Sequence, residues 1–95
     1  MAELLSDQEI ESRLQDSDWK REGSEIVREW KFSDFAEAMT FVNRVAEAAE
    51  EANHHPDILL HGWNKVRLSL TNHSAGGLTP VDFEMAGRFD GLATA

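Results

Sequence analysis

The sequence contains no cysteine, and this excludes both a disulfide framework and a metal site built from thiolates. It also lacks any apolar run approaching the roughly 20 residues that a membrane-spanning helix needs. Its first residues carry none of the positive charge with which a signal peptide begins. We therefore expect a soluble, cytoplasmic protein with no membrane partner.

Basic residues are scarce relative to acidic ones. The chain has 9 lysines and arginines against 18 aspartates and glutamates, which gives a formal net charge of −9. A negative field repels phosphate backbones, and the basic residues are scattered along the sequence instead of being gathered into a stripe. Direct binding to nucleic acid is therefore disfavoured.

The length of 95 residues is enough for one domain and too short for two. A hydrophobic fraction of 41% is ordinary for a folded protein and argues against disorder. A domain of this size buries only roughly two thirds of its unfolded surface, so its margin of stability is thin. Association of copies is one way to bury more.

Capping patterns and apolar residues at helical spacing predict three helices. The segment 6–9 has the spacing of a capping box. The central helix has the longest series of apolar residues at helical spacing and ends near Asn53, because Pro56 prevents its continuation. The last helix begins with Pro80 at its first position and Asp82 at its third. The predicted N-caps are Ser6, Ser33 and Thr79.

Alternation of apolar and polar residues predicts four strands, at residues 19–22, 26–32, 58–60 and 65–71. Arg28 interrupts the apolar face of the second strand, which indicates that this strand lies near an edge of the sheet. The order α-β-β-α-β-β-α predicts an α+β fold. We expect a single domain over residues 1–95, with one four-stranded antiparallel sheet and helices packed on one face.

Three of the four histidines lie at the ends of predicted elements. His54 and His55 follow the central helix, His73 follows the last strand, and Glu50 precedes His54 by about one helical turn. If this helix and strand pack side by side, these groups converge at one rim of the sheet. Imidazole gives and takes protons readily near neutral pH, so such a cluster could both deliver and remove a proton, as a dehydration requires. Trp63 offers a flat apolar wall for a planar ligand.

Each of these residues also has a simpler interpretation. His54 can cap a helix, Asp82 can serve the helix start alone, Glu50 can be an ordinary surface residue and Trp63 can belong to the core. His61, within or beside a strand, is assigned to the fold. A metal ion held by Glu50, His54 and His73 is an alternative to acid–base chemistry, but no complete ligand set is evident and we expect no metal.

Two longer motifs surround the histidines: EEANHHPD at residues 50–57, and WNKV at 63–66 followed by TNHSAGGLT at 71–79 and then Asp82. With them the chain resembles the pterin-4a-carbinolamine dehydratases over nearly its whole length, from about residue 4 to residue 92. The resemblance implies a lyase that removes water from a 4a-hydroxytetrahydropterin to give quinonoid dihydropterin. That reaction recycles the cofactor of aromatic amino-acid hydroxylases, which implies a functional link to such an enzyme.

The resemblance also implies which residues act. His54, His55 and His73 correspond to active-site histidines, and Glu50, Trp63 and Asp82 correspond to positions near the pterin substrate. No cofactor is implied, and members of the family usually assemble as homodimers or homotetramers. Animal members often carry an acidic residue where this chain has Asn53, so a role that needs a carboxylate there is not expected. Some relatives serve instead as dimerisation partners of a transcription factor or as assembly factors, and this is the alternative function.

Overall fold

The helices and strands follow one another in the predicted order. The computed structural model describes residues 3–93. Its elements are α1 (Asp7–Leu14), β1 (Lys20–Glu22), β2 (Glu25–Lys31), α2 (Phe35–Ala52), β3 (Asp57–His61), β4 (Lys65–Leu70) and α3 (Pro80–Ala93). The α+β architecture with one four-stranded antiparallel sheet is confirmed. None of the helices within residues 3–93 combines the length and apolar character that a membrane span requires.

The sheet has the strand order β1-β2-β4-β3, and every neighbouring pair is antiparallel. β4 alternates as its sequence predicts, since Val66, Leu68 and Leu70 are completely buried and the residues between them are partly exposed. These three side chains join Phe41 of α2 and Phe89 of α3 in one hydrophobic cluster. The core therefore lies between the sheet and the helices that cover one of its faces.

Arg28 lies in β2, which is next to the edge strand β1 and between β1 and β4, so the prediction that this strand lies near an edge is confirmed. Its guanidinium contacts Asp90 of α3 at 2.6 Å and lies 4.6 Å from the centre of the Trp30 ring. Asp90 also accepts a hydrogen bond from the Trp19 indole at 2.8 Å. A charged residue is tolerated in this strand because a carboxylate from another element neutralises it and the Trp30 ring lies against it.

The first helix begins as predicted, and the second begins one residue later. Ser6 and Glu9 form a complete capping box, and hydrogen bonds from the Ser6 backbone and then its side chain hold the pKa of Glu9 below its usual value. The N-cap of α2 is Asp34, whose carboxylate accepts the Glu37 N–H at 2.8 Å. The predicted cap, Ser33, instead donates its hydroxyl to the Glu37 side chain at 2.9 Å.

Candidate functional site

The C-terminus of α2 fixes where the two adjacent histidines begin. Asn53 has a left-handed backbone with φ of 51°, and its N–H bonds to the Glu50 carbonyl at 3.2 Å. The His54 N–H bonds to the Ala49 carbonyl at 3.1 Å. This pair of bonds is a Schellman motif, and Asn is one of the few residues that accept the left-handed conformation without a large penalty. His54 is therefore held against the end of the helix by its own backbone.

The side chain of His54 turns towards the N-terminus of α3. Its Nε2 lies 2.6 Å from Oδ1 of Asp82. Asp82 is completely buried, and only 14% of the His54 side chain is exposed. The other oxygen of Asp82 accepts hydrogen bonds from the backbone N–H of Thr79 at 2.8 Å and from its hydroxyl at 3.2 Å. One buried carboxylate thus joins the end of α2 to the start of α3.

His55 pairs with Glu50, one turn back along α2. Its Nε2 lies 2.9 Å from Oε2 of Glu50, and the two side chains are 55% and 77% exposed. Glu50 also lines an open groove of about 720 Å³ together with Ala46, Glu47 and Glu51. The alternative in which Glu50 and His54 share a metal ion has no support from these contacts, because each of the two faces a different partner. Within residues 3–93 no set of three histidine or acidic groups is placed to hold an ion.

His73 lies in the loop that follows β4, and its side chain is exposed. Asn72 shapes this loop: its N–H bonds to the Gly77 carbonyl at 3.0 Å and its own carbonyl accepts the Gly76 N–H at 2.9 Å. The first residue of β3, Asp57, pairs with Ser69 near the end of β4. Antiparallel pairing therefore places His73 at the same end of the sheet as His54 and His55, as the element order predicts.

Trp63 does not lie beside the histidines of its own chain, and that part of the predicted geometry was wrong. It lies in the turn between β3 and β4, at the opposite end of the hairpin. The five residues of β3 separate the two ends by about 17 Å. Trp63 is not a core residue either, because it is 61% exposed. Its φ of 60° is unusual for a bulky residue, and such outliers are concentrated at functional sites and turns.

His61 is on the open face of the sheet, away from the other three histidines. It pairs with Lys65 in the β3–β4 register, and its Nε2 lies 2.5 Å from Oε1 of Glu29 in β2. This contact crosses over β4 and ties three strands together, consistent with its assignment to the fold.

Thr79 contributes to the site in a way that its sequence position does not predict. It was predicted only as a helix cap, yet both of its donors are directed to Asp82, so it helps to orient the carboxylate that contacts His54. The spacing does predict a contact between the two residues. In a capping box the acidic side chain three positions after the cap accepts a hydrogen bond from the backbone N–H of the cap. The spacing alone could not reveal that the other oxygen of that carboxylate faces His54, which follows the end of α2.

The site therefore contains two imidazole–carboxylate pairs of different character. The His54–Asp82 pair is shielded from water, and the His55–Glu50 pair is open to it. An imidazole held by a buried carboxylate has a fixed orientation, whereas exposed groups are free to approach a ligand and exchange protons with solvent. With His73 exposed at the same end of the sheet, the arrangement is suited to giving a proton to one atom and removing one from another.

Comparison with known proteins identifies the family. A sequence model described as pterin 4 alpha carbinolamine dehydratase matches residues 3–92. The chain belongs to this family. A Picosynechococcus protein is 50% identical over 93 residues, which cover 97% of this chain and all of the relative. A Nostoc protein is 53% identical over 87 residues, covering 90% of this chain and 92% of the relative. Both relatives have the provisional name pterin-4-alpha-carbinolamine dehydratase.

Two solved structures resemble this chain. A Brucella melitensis protein described as a transcriptional coactivator/pterin dehydratase has a TM-score of 0.87 and 32% identity, covering 94% of this chain and 97% of its own. A pterin dehydratase-like protein described as a RuBisCO assembly factor of the alpha-carboxysome has a TM-score of 0.70 and 24% identity, covering 84% and 94%. At that identity the second likeness concerns the fold alone.

Proposed function

We propose that this protein is a hydro-lyase that converts a 4a-hydroxytetrahydropterin to quinonoid dihydropterin, with His54, His55 and His73 as its acid–base groups. The observation that carries the proposal is the pairing of two adjacent histidines with two carboxylates, one buried and one exposed, at the end of the sheet where His73 also lies. Membership of the dehydratase family supports the same reaction class.

The reaction needs two proton movements and no redox step. In a carbinolamine, the lone pair of the ring nitrogen expels the neighbouring hydroxyl group. A general acid protonates that hydroxyl so that it leaves as water, and a general base removes the proton from the ring N–H. Each positioned acid or base contributes about 10²–10⁴ in rate. The bicyclic substrate carries its own reactive nitrogen, so no further cofactor or metal is required.

The exposed fractions of the side chains indicate a different role for each residue. His55 and His73 are open to a ligand and supply the group that protonates the leaving hydroxyl. Glu50, 77% exposed and next to His55, accepts hydrogen bonds from the polar edge of the pterin. Asp82 was expected to bind substrate, but it is completely buried and its contacts are with Thr79 and His54. It therefore acts through His54.

The role of Trp63 in binding substrate requires a second copy of the chain. β3 is an edge strand of the sheet, and it exposes Ile58 and Leu59 by 39% and 53%. An unpaired strand edge with exposed apolar residues favours pairing with another strand. If two β3 strands pair antiparallel about Leu59, Trp63 of one copy lies opposite His55 of the other. A homodimer of this kind, or a homotetramer built from it, would complete the site.

The proposed reaction implies a cellular location and a functional partner. A cytoplasmic enzyme with this activity restores the pterin cofactor of an aromatic amino-acid hydroxylase, which is the functional partner we propose. The alternative function is a binding or assembly module, for which the names of the two structural relatives provide precedents. The paired and exposed histidines favour the enzyme, since a module that only binds a partner has no need of acid–base groups.

A direct assay separates the two functions. The purified protein is mixed with 4a-hydroxytetrahydropterin, generated in place, without added metal or cofactor, and the appearance of quinonoid dihydropterin is followed by absorbance. We expect a rate well above that of buffer alone and proportional to protein concentration. A rate indistinguishable from buffer would overturn the enzyme and favour the binding module.

A further inference from the structure

Asp82 accepts two hydrogen bonds on one oxygen and faces a ring nitrogen of His54 with the other. Its Oδ2 receives two bonds, from the N–H and the hydroxyl of Thr79, and its Oδ1 lies 2.6 Å from the Nε2 of His54. It is also the third residue of α3, where the N-terminal end of the helix dipole favours negative charge. Two donors converging on one oxygen and a helix N-terminus favour an ionised carboxylate, and an ionised carboxylate can only accept hydrogen bonds.

The nitrogen of His54 that faces Asp82 must therefore carry the hydrogen. We infer that Asp82 is a positioning residue that holds His54 in its Nε2–H tautomer, and that Nδ1 of His54 is the nitrogen that takes the proton from the substrate. Only the role of Nδ1 as the base rests on the proposed function. The Nε2–H tautomer of His54 is a property of the resting protein and can be measured without substrate.

The proton movements then balance. Nδ1 of neutral His54 accepts the proton of the substrate N–H, and His54 becomes an imidazolium whose Nε2–H remains bonded to Asp82. The lone pair left on the ring nitrogen forms the new double bond as the C–O bond breaks. His55 or His73, starting as an imidazolium, gives a proton to the departing hydroxyl, which leaves as water. Transfer of one proton from His54 to that histidine, through solvent, restores the resting enzyme.

The contrast with His55 explains why only one of the two pairs fixes a tautomer. The His55–Glu50 pair is more than half exposed on both sides, so water competes for each group and either ring nitrogen can face solvent. Asp82 has no exposed surface, so exchange of its partner for water is not available. The buried pair therefore determines which nitrogen of His54 is basic.

Replacing Asp82 with Asn puts a hydrogen-bond donor in place of the acceptor that faces His54, and this gives a sharp test. The two donors of Thr79 require an acceptor at the position of Oδ2, so the amide oxygen of the variant is expected there. Its NH₂ group then faces His54 and needs an acceptor, which only a ring nitrogen without hydrogen can supply. We therefore expect Asp82→Asn to convert His54 from the Nε2–H to the Nδ1–H tautomer.

The measurement is the ¹⁵N chemical shift of both His54 ring nitrogens in ¹⁵N-histidine-labelled protein, at a pH where the histidines are neutral. The wild type should show a protonated Nε2, and Asp82→Asn should show a protonated Nδ1. Glu29→Gln is the matched control, because it removes the carboxylate that contacts His61 and should alter the signals of His61 but not those of His54. An Nδ1–H tautomer in the wild type would refute the inference, even if the variant failed to fold.

Kinetic measurements test whether Nδ1 of His54 is the base. Asp82→Asn should lower kcat about 10²-fold, within the contribution of one positioned base, and leave KM nearly unchanged. Unchanged kcat in a variant whose tautomer has switched would exclude Nδ1 as the base. A wild type with the expected tautomer but no dehydratase activity would instead refute the proposed function and leave the positioning of His54 by Asp82 intact.

Discussion

The Nε2 of His54 and the Oδ1 of Asp82 lie 2.6 Å apart although the two residues are 28 positions apart in the sequence. One residue follows the C-terminus of α2 and the other lies in the first turn of α3. The contact therefore joins two helix ends and the candidate catalytic group in one arrangement. Because the carboxylate is completely buried, the stability of the protein and the geometry of its site depend on the same atoms.

Removing the carboxylate should destabilise the protein. In Asp82→Ala the donors of Thr79 and His54 lose their buried acceptor, at a cost of about 1–3 kcal/mol in the free energy of unfolding. The check is urea denaturation of wild type and variant. Glu51→Ala is the control, because it breaks an exposed ion pair with Arg88 and should change the free energy by less than about 0.5 kcal/mol. Equal stability of Asp82→Ala and wild type would contradict the importance of this contact.

The left-handed residue at the end of α2 gives a second prediction. Asn53→Ala should destabilise the protein by about 1 kcal/mol, since alanine pays the penalty of a left-handed backbone that asparagine tolerates. Asn53→Gly should be at least as stable as wild type. Asn43→Ala, at an exposed position inside α2, is the matched control and should be neutral or stabilising, because alanine favours the helix interior. Thermal unfolding of the three variants provides the comparison, and equal effects at the two asparagines would contradict it.

Local features of the fold could be predicted from the sequence where the interactions are local. The capping box at Ser6 and the alternation of β4 involve residues a few positions apart, and both are confirmed. The start of α2 is one residue later than predicted, because Ser33 and Asp34 are both good caps and their intrinsic cap preferences do not separate them. Asp34 is preferred since Glu37 then occupies the third helical position, where its N–H reaches the cap.

Features that depend on the pairing of distant segments could not be predicted in the same way. The residue that neutralises Arg28 is one example, because its partner, Asp90, lies 62 positions later in the sequence. Trp63 was placed near the histidines on the strength of a motif, whereas the antiparallel register of β3 and β4 puts the turn between them at the far end of the sheet. The location of His54, His55 and His73 at the same end of the sheet was predictable, because it follows from element order alone.

Assembly of copies through the edge of β3 gives a third prediction. Light scattering at micromolar concentration should return the mass of a dimer or tetramer, and Leu59→Lys, which places a charge on the strand edge, should shift the protein towards the monomer. If Trp63 reaches the histidines of a second copy, Leu59→Lys and Trp63→Ala should each raise KM. Leu4→Lys, at an exposed apolar residue away from the sheet edge, is the control and should keep the assembly. A monomeric wild type with full activity would exclude a shared site.

The last prediction concerns the histidines as a group. If imidazoles share the roles of acid and base, replacing His55 or His73 with Ala should leave partial activity, because the remaining histidines can still transfer a proton. Replacing both should bring the rate near the uncatalysed level, since residues that act as a unit have non-additive effects. The measurement is the rate of quinonoid dihydropterin formation for the wild type, the two single variants and the double variant.

His61→Ala is the matched control for this series. His61 contacts Glu29 on the open face of the sheet and shares no contact with the candidate site, so its replacement should change the rate by less than about twofold while removing one imidazole from the protein. A similar loss in His61→Ala and His55→Ala would attribute the effects to folding and not to chemistry. Full activity in the double variant would preserve the proposed reaction but refute the assignment of His55 and His73, and would leave His54 as the group through which the proton passes.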